Sequence, residues 1–302
     1  MNKCNTFYIS RIKYLGRIIA FFHILKNHRS GKVIHFFLDA CWFLFTGYSK
    51  RLGWYYYKYL LFKIENPFQV NSILEIFDFK IYDLPIKKSK PVIVDIGGFI
   101  GDSAIFFINK YPNATIYVFE PNEIIFPLLQ VNLSHNVLNK SRIYLFNKAV
   151  IGNALGNHDR LYYSKSLLSN ASLYSEHLAV KDKVYKKQIK VISFNELLSQ
   201  INQIDLLKID AEGSEYDIMP LIAQNFHRIK AFVIEIHYSN KMPDKLKKLY
   251  RLLNILSQKY RLVINPTYYQ YRSYKTMAFN WKEFYTHKKN IYTGFTLYGM
   301  LE

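Results

Sequence analysis

The sequence predicts an α/β fold: a mostly parallel sheet with helices on both faces. Three observations predict it. Short β-branched runs alternate with helical stretches from Pro91 onward, a glycine-rich turn joins the first run to the first helix, and acidic residues recur just after the runs. Open parallel sheets bind their ligands at those carboxyl ends. With 302 residues, half of them hydrophobic, the chain is long enough to bury a full core.

The elements follow in order. Val92 to Ile96 is a central strand, because its apolar run has no exposed face before Gly97-Gly98. Asp102 to Lys110 reads as a helix, closed by Tyr111-Pro112-Asn113, and Thr115 to Phe119 as the second strand, ending at Glu120-Pro121-Asn122. A helix through about His135 and strands at Ile143 to Phe146, Ile204 to Ile209 and Phe232 to Ile236 continue the alternation. Leu246, Leu249, Leu253 and Leu256 then mark a helix face. Gly152 to Lys187 breaks the pattern and reads as an insertion over the site, with a hairpin near Arg160 to Tyr163. Tyr163, Ser172 and Tyr174 are its candidate acceptor contacts, the bland reading being a surface loop.

Residues 1–85 form a basic, aromatic-rich extension, expected to be helical, ahead of a domain over 86–302. Met1 to Lys63 holds eleven Lys or Arg and one acid, Asp39. Ile12, Leu15, Ile19 and Phe22 recur at helical spacing; such a stripe suits either packing on the domain or an anionic membrane surface. The whole chain carries 41 Lys and Arg against 22 Asp and Glu, a formal +19. That balance suits an anionic partner, although a Lys-, Asn-, Ile- and Tyr-rich composition also follows from coding bias. Cys4 and Cys41 are too few for a disulfide framework, and no pair is spaced for zinc. A cytoplasmic setting is expected, with any membrane contact peripheral. The longest apolar candidate, Val33 to Phe45, falls short of the roughly 20 residues of a span.

The turn Asp95-Ile96-Gly97-Gly98-Phe99-Ile100-Gly101 sits where a nucleotide-type ligand would rest. It fits a dinucleotide badly: counting from Gly97, the later fingerprint glycines fall on Phe99 and Asp102, and Asp95 and Asp102 would repel a pyrophosphate. A phosphate-free cation suits these acids, and S-adenosylmethionine is one. Asp95 would accept from its ammonium, and Ser103 and the helix N-terminus would hold its carboxylate. Glu120, at the end of the next strand, would accept the ribose hydroxyls.

Four blocks resemble the FkbM-type S-adenosylmethionine-dependent methyltransferases: Val94 to Gly101, Val118 to Pro121, Leu207 to Glu215 and Val233 to His237. One position departs, since Phe99 stands where that family usually has Asn. The resemblance implies a class I methyltransferase fold, a seven-stranded sheet whose last strand, here Thr293 to Tyr298, runs antiparallel. It also implies O-methylation of sugars or natural products, commonly in bacteria. Asp95, Gly97, Gly98, Gly101, Ser103, Glu120, Pro121, Asn122 and Asp210 would surround the cofactor, and Ala149 would back its adenine.

Transfer to oxygen needs alignment and a base. His237, Asp210 and Glu235 end adjacent strands and are the candidates; His237 is preferred because imidazole titrates near neutrality, against the alternative of a strand-end histidine bonded to backbone. Asp210 with Glu235 or His237 also fits an arrangement in which Mg²⁺ orients a diol. A nucleic-acid acceptor is not expected, because no Asn/Asp-Pro-Pro-Tyr segment is present for a flipped base. A catalytically inactive scaffold at a membrane is the contrasting reading. The intact set Asp95, Gly97, Gly101, Glu120 and Asp210 speaks against it.

Overall fold

The computed structural model describes residues 48–49, 53–66, 68–137, 142–152, 160–164, 167–173, 183–237, 243–265, 279–280, 282 and 294–301. The stripe from Ile12 to Phe22, Tyr174 and Thr293 lie outside them.

The described part of the extension is not simply helical. Strands β1 (Tyr48–Ser49), β2 (Trp54–Tyr57) and β3 (Leu60–Lys63) form an antiparallel meander, followed by helix α1 (Phe68–Phe77). Aromatic and apolar residues favour strands, and Gly53 and Lys58, both at positive φ, sit at the turns.

The sheet then builds outward from β4 (Val92–Ile96), followed by α2 (Asp102–Lys110), β5 (Thr115–Phe119), α3 (Phe126–Asn136), β6 (Ile143–Phe146) and a short β7 (Ala149–Ile151). Three strands, β8 (Arg160–Ser164), β9 (Leu167–Ser172) and β10 (Val184–Gln188), form a separate antiparallel sheet where the insertion was expected. Next come β11 (Val191–Ser193), paired parallel with β7, then α4 (Phe194–Gln200), β12 (Leu206–Ile209), α5 (Glu215–Gln224) and β13 (Ala231–His237). Helix α6 (Pro243–Leu256) and strands β14 (Tyr260–Asn265), β15 (Phe279–Asn280) and β16 (Gly294–Leu301) complete the order.

The main sheet runs β15-β14-β16-β13-β12-β4-β5-β6. Its seven principal strands are parallel except β16, which runs antiparallel to both neighbours and starts at Gly294, one residue after the expected Thr293. The two-residue β15 adds an edge. Gly299 is dictated by packing here: a Cβ would lie 2.1 Å from Phe232 Cζ.

Strand alternation divides the core into two halves. Val94, Ile96, Leu207, Ile209, Phe232 and Ile234 pack with α4, α5 and α6. Ile93, Ile116, Val118, Leu206 and Val233 face α1, α2 and α3, together with Tyr57 and Phe62 of the meander. The extension and the sheet therefore share one core. Asp95 and Lys208 are register partners. With Glu235 they occupy the same-parity positions as Ile93, Leu206 and Val233, so all three point toward α1 and α2.

Two asparagines of α3 dock the meander. Asn132 accepts from Lys63 N at 2.6 Å and donates to Lys63 O at 3.1 Å and Ile100 O at 2.8 Å. Asn136 accepts from Leu61 N at 2.8 Å and donates to Leu61 O at 2.9 Å. Among the described residues, no helix is long and apolar enough to cross a membrane.

Candidate active site

A cavity of about 450 Å³ opens at the carboxyl ends of β4, β5, β12 and β13. Of the expected residues, Gly97, Ser103, Glu120, Pro121, Ala149, Asp210 and Glu235 line it. Asp95, Gly98, Gly101, Asn122 and His237 stand behind that wall.

The turn after β4 is shaped by close approach. Gly97 has φ 84°, and a Cβ there would lie 1.8 Å from the Asp210 carbonyl oxygen. Gly98 leaves no space either, since a Cβ on it would stand 2.3 Å from Val118 Cγ1. Both amides donate to Phe119 O, at 2.9 and 3.0 Å. Gly101 caps α2 at φ 87°. Phe99 sits at φ 43°, a left-handed conformation in which Asn is favoured and an aromatic residue is strained. Its side chain nevertheless lines the cavity.

Glu120 ties this turn to β5. It accepts from Phe99 N at 2.9 Å and from Asn122 N at 2.8 Å. Burial pushes its carboxyl up to about 7, the two amides opposing that rise. Asn122 also accepts from Ile124 N at 3.0 Å, so it shapes the loop from behind.

Sequence reasoning missed Lys208. Its side chain is 1% exposed, and its ammonium lies 3.1 Å from Asp95 Oδ1 and 3.7 Å from Asp210 Oδ2. It donates to the Gly97 carbonyl. The contact with Asp95 is close enough for an ion pair but lacks the alignment of a hydrogen bond, leaving Asp95 Oδ1 without one. Burial opposes the charge on Lys208, yet Asp95 and Asp210 outweigh it and hold its pKa above the usual lysine range. Asp95 Oδ2 accepts from Ser103 Oγ at 2.5 Å. The signal was legible: a lone lysine in Leu206-Leu207-Lys208-Ile209, a run reading as a buried strand.

Tyr82, from the extension, had no comparable signal. Its hydroxyl lies 3.0 Å from Asp210 Oδ2 and 3.0 Å from Glu235 Oε2. The two carboxyl groups share one phenolic donor. Burial and the nearby Asp210 push Glu235 up to about 8, which makes it the more readily protonated of the pair.

His237 counts against the role expected of it. Its ring nitrogens lie 3.3 Å from Glu215 Oε1, 3.6 Å from Glu212 Oε1 and 3.6 Å from Glu235 Oε1. Burial favours the neutral ring, but these carboxylates outweigh it and raise the pKa well above the usual imidazole value. A raised pKa favours the protonated ring and makes it a less ready base. In the insertion, Ser172 donates to the Glu212 carbonyl. Tyr163 stacks on Tyr185 at 5.7 Å and does not line the cavity.

Among the described residues Asp210, Glu212 and His237 offer ligand atoms within 4.8 Å of one another. Glu235, expected in this set, is replaced by Glu212. The set fits Mg²⁺ poorly, since that ion takes oxygen ligands and one of the three donors is an imidazole nitrogen.

The strand order, the reversed last strand and the acid-flanked glycine turn define a class I methyltransferase-type fold. Residues 95–262 match the Methyltransferase FkbM domain, and the chain belongs to that family. It is 29% identical over 166 residues to Methyltransferase 1 of Beauveria bassiana, a match covering 48% of this chain and 64% of the fungal protein, which is less than two thirds of its length. It is 26% identical over 208 residues to Methyltransferase sdnD of Sordaria araneosa, covering 59% and 77%. Among solved structures, Methyltransferase FkbM from Methylobacillus flagellatus aligns with TM-score 0.40 and 16% identity over 70% of this chain and 44% of that one.

Proposed function

We propose that this chain transfers a methyl group from S-adenosylmethionine to a hydroxyl of an uncharged saccharide, glycolipid or small natural product. One observation carries the choice of acceptor atom. Asp210 and Glu235, from adjacent strands, converge on a single hydroxyl, that of Tyr82, on the cavity wall. A site that already seats a hydroxyl between two carboxyl groups has the chemistry to seat an acceptor hydroxyl beside it.

The cofactor fits the residues present: the cavity volume is in the range of small-molecule sites, and a Cβ at Gly97 or Gly98 on the turn beside it would find no room, so the backbone there is bare toward a ligand. Bound S-adenosylmethionine would supply an electrophilic methyl. Glu120 would accept the ribose hydroxyls, and Ala149 with Phe119 would flank the adenine. Asp210 is the partly exposed member of the carboxyl pair, at 27% against 5% for Glu235. It would take the acceptor's proton, while Tyr82 and protonated Glu235 hold it in position. Asp210, ionised so that it can take the proton, disfavours phosphorylated or acidic acceptors beside it.

Calorimetry tests the cofactor half directly. S-adenosylmethionine should bind and NAD should not, and Glu120→Ala should weaken binding by about 1.5–3 kcal/mol, as expected for lost hydrogen bonds to a charged group. Binding of NAD in preference would overturn the reading.

A further inference from the structure

The head of α2, expected to hold the cofactor's carboxylate, is already taken. Ser103 Oγ donates to Asp95, and Ser103 N donates to Asp102 Oδ1 at 3.0 Å. Asp102 Oδ2 accepts from Ser72 Oγ at 2.6 Å. Two buried carboxylate side chains thus stand at the first turn, where a third anion would be repelled.

The carboxylate therefore needs a cation elsewhere. Among the described residues, the cavity wall offers two, Lys148 and Lys208. Lys148 adjoins Ala149, at the adenine end. Lys208 lies under the glycine turn, on the side away from Ala149, between Asp95 and Asp210. Its ammonium donates to Gly97 O, and Ile96 O is 3.5 Å away. Its three protons face Gly97 O, Ile96 O and Asp95 Oδ1, so a ligand carboxylate would displace the longest of these contacts, that to Ile96 O. The Tyr82 ring, its centroid 5.1 Å from the nitrogen, supports the charge from the other side.

We propose that Lys208 anchors the carboxylate of the cofactor's methionine half. The inference rests on the S-adenosylmethionine reading. Lys208, backed by Asp95 from behind the wall, then meets the ligand carboxylate.

Two probes separate this role from a structural one. S-adenosylhomocysteine carries the amino-acid half, whereas 5′-methylthioadenosine lacks it. Calorimetry should show Lys208→Met weakening S-adenosylhomocysteine about 10- to 100-fold, with methylthioadenosine changed by less than about twofold. The double variant Asp95→Asn/Lys208→Met, which removes the carboxylate nearest the lost ammonium, should show the same contrast even if the single variant folds poorly. Equal losses for both probes, or none, would overturn the anchor role alone. A wild-type chain that binds neither probe would overturn the cofactor reading, and this inference with it.

Discussion

Gly97 owes its identity to a backbone oxygen. The Asp210 carbonyl passes so close that any side chain would collide with it, and the φ of 84° is one that L-residues avoid. Gly97→Ala should therefore lower unfolding free energy in urea by about 3 kcal/mol or more, since strain and overlap act together. An unchanged midpoint would show that β12 can retreat from the turn. The glycines, Glu120 and Asp210 were legible in the sequence because their positions follow from strand ends, and the rule that ligands bind there needs no tertiary detail. Lys208 stands out in the sequence as a lone charge in a buried run, but its partner does not, because the pairing depends on Asp95 standing across the strand pair. Tyr82 was not legible at all. Its place between Asp210 and Glu235 joins residues 128 and 153 positions apart in the chain, a separation no local pattern records. The surroundings of His237 were hidden for a related reason: intrinsic imidazole chemistry is local, whereas Glu212, Glu215 and Glu235 gather around it only in the fold.

Among elements, the junction of β3 with α3 is the most specific. Residues four apart on a helix advance about 6 Å, and residues two apart on a strand advance about 6.8 Å. Asn132 and Asn136 can thus read Lys63 and Leu61 as a neighbouring strand would. They replace a ladder on what is otherwise the meander's free edge. Asn132→Ala would strand three backbone groups, at Lys63 N, Lys63 O and Ile100 O, and should cost about 2–4 kcal/mol in denaturant unfolding. A cost below about 0.5 kcal/mol would show that water replaces the amide. The alternating strands and helices from β4 to β13 were legible because their periodicity is regular. The meander was not, since the basic helical stripe upstream suggested helix for the whole extension, while the docking amides lie 69 and 75 positions downstream of the backbone they bind.

For the molecule as a whole, the sign of the charge reverses between surface and site. The chain carries a formal +19, yet its cavity is walled by Glu75, Asp102, Glu120, Asp210, Glu212 and Glu235. Burial raises Asp102 to about 6, Glu120 and Glu212 to about 7, and Glu235 to about 8. The folded state thus binds more protons than the unfolded chain between about pH 4.5 and 8, so stability falls as pH rises through that window. His237 acts in the same direction: its raised pKa contributes stability that is full below about 6.5 and lost as pH rises through the folded value. Glu215, lowered, opposes them only in acid, where its contribution disappears as pH falls. The thermal midpoint should accordingly be higher at pH 6 than at pH 9. A flat profile, or a rise toward alkali, would mean that the cluster stays ionised throughout. Finally, Asn71, Ser72, Glu75 and Tyr82 furnish one flank of the cleft, although the stretch shared with the family begins only at residue 95. Exchanging that upstream segment between relatives would then reshape the cleft from outside the shared stretch, through Ser72 on Asp102 and Tyr82 on Asp210 and Glu235, while leaving the glycine turn itself untouched.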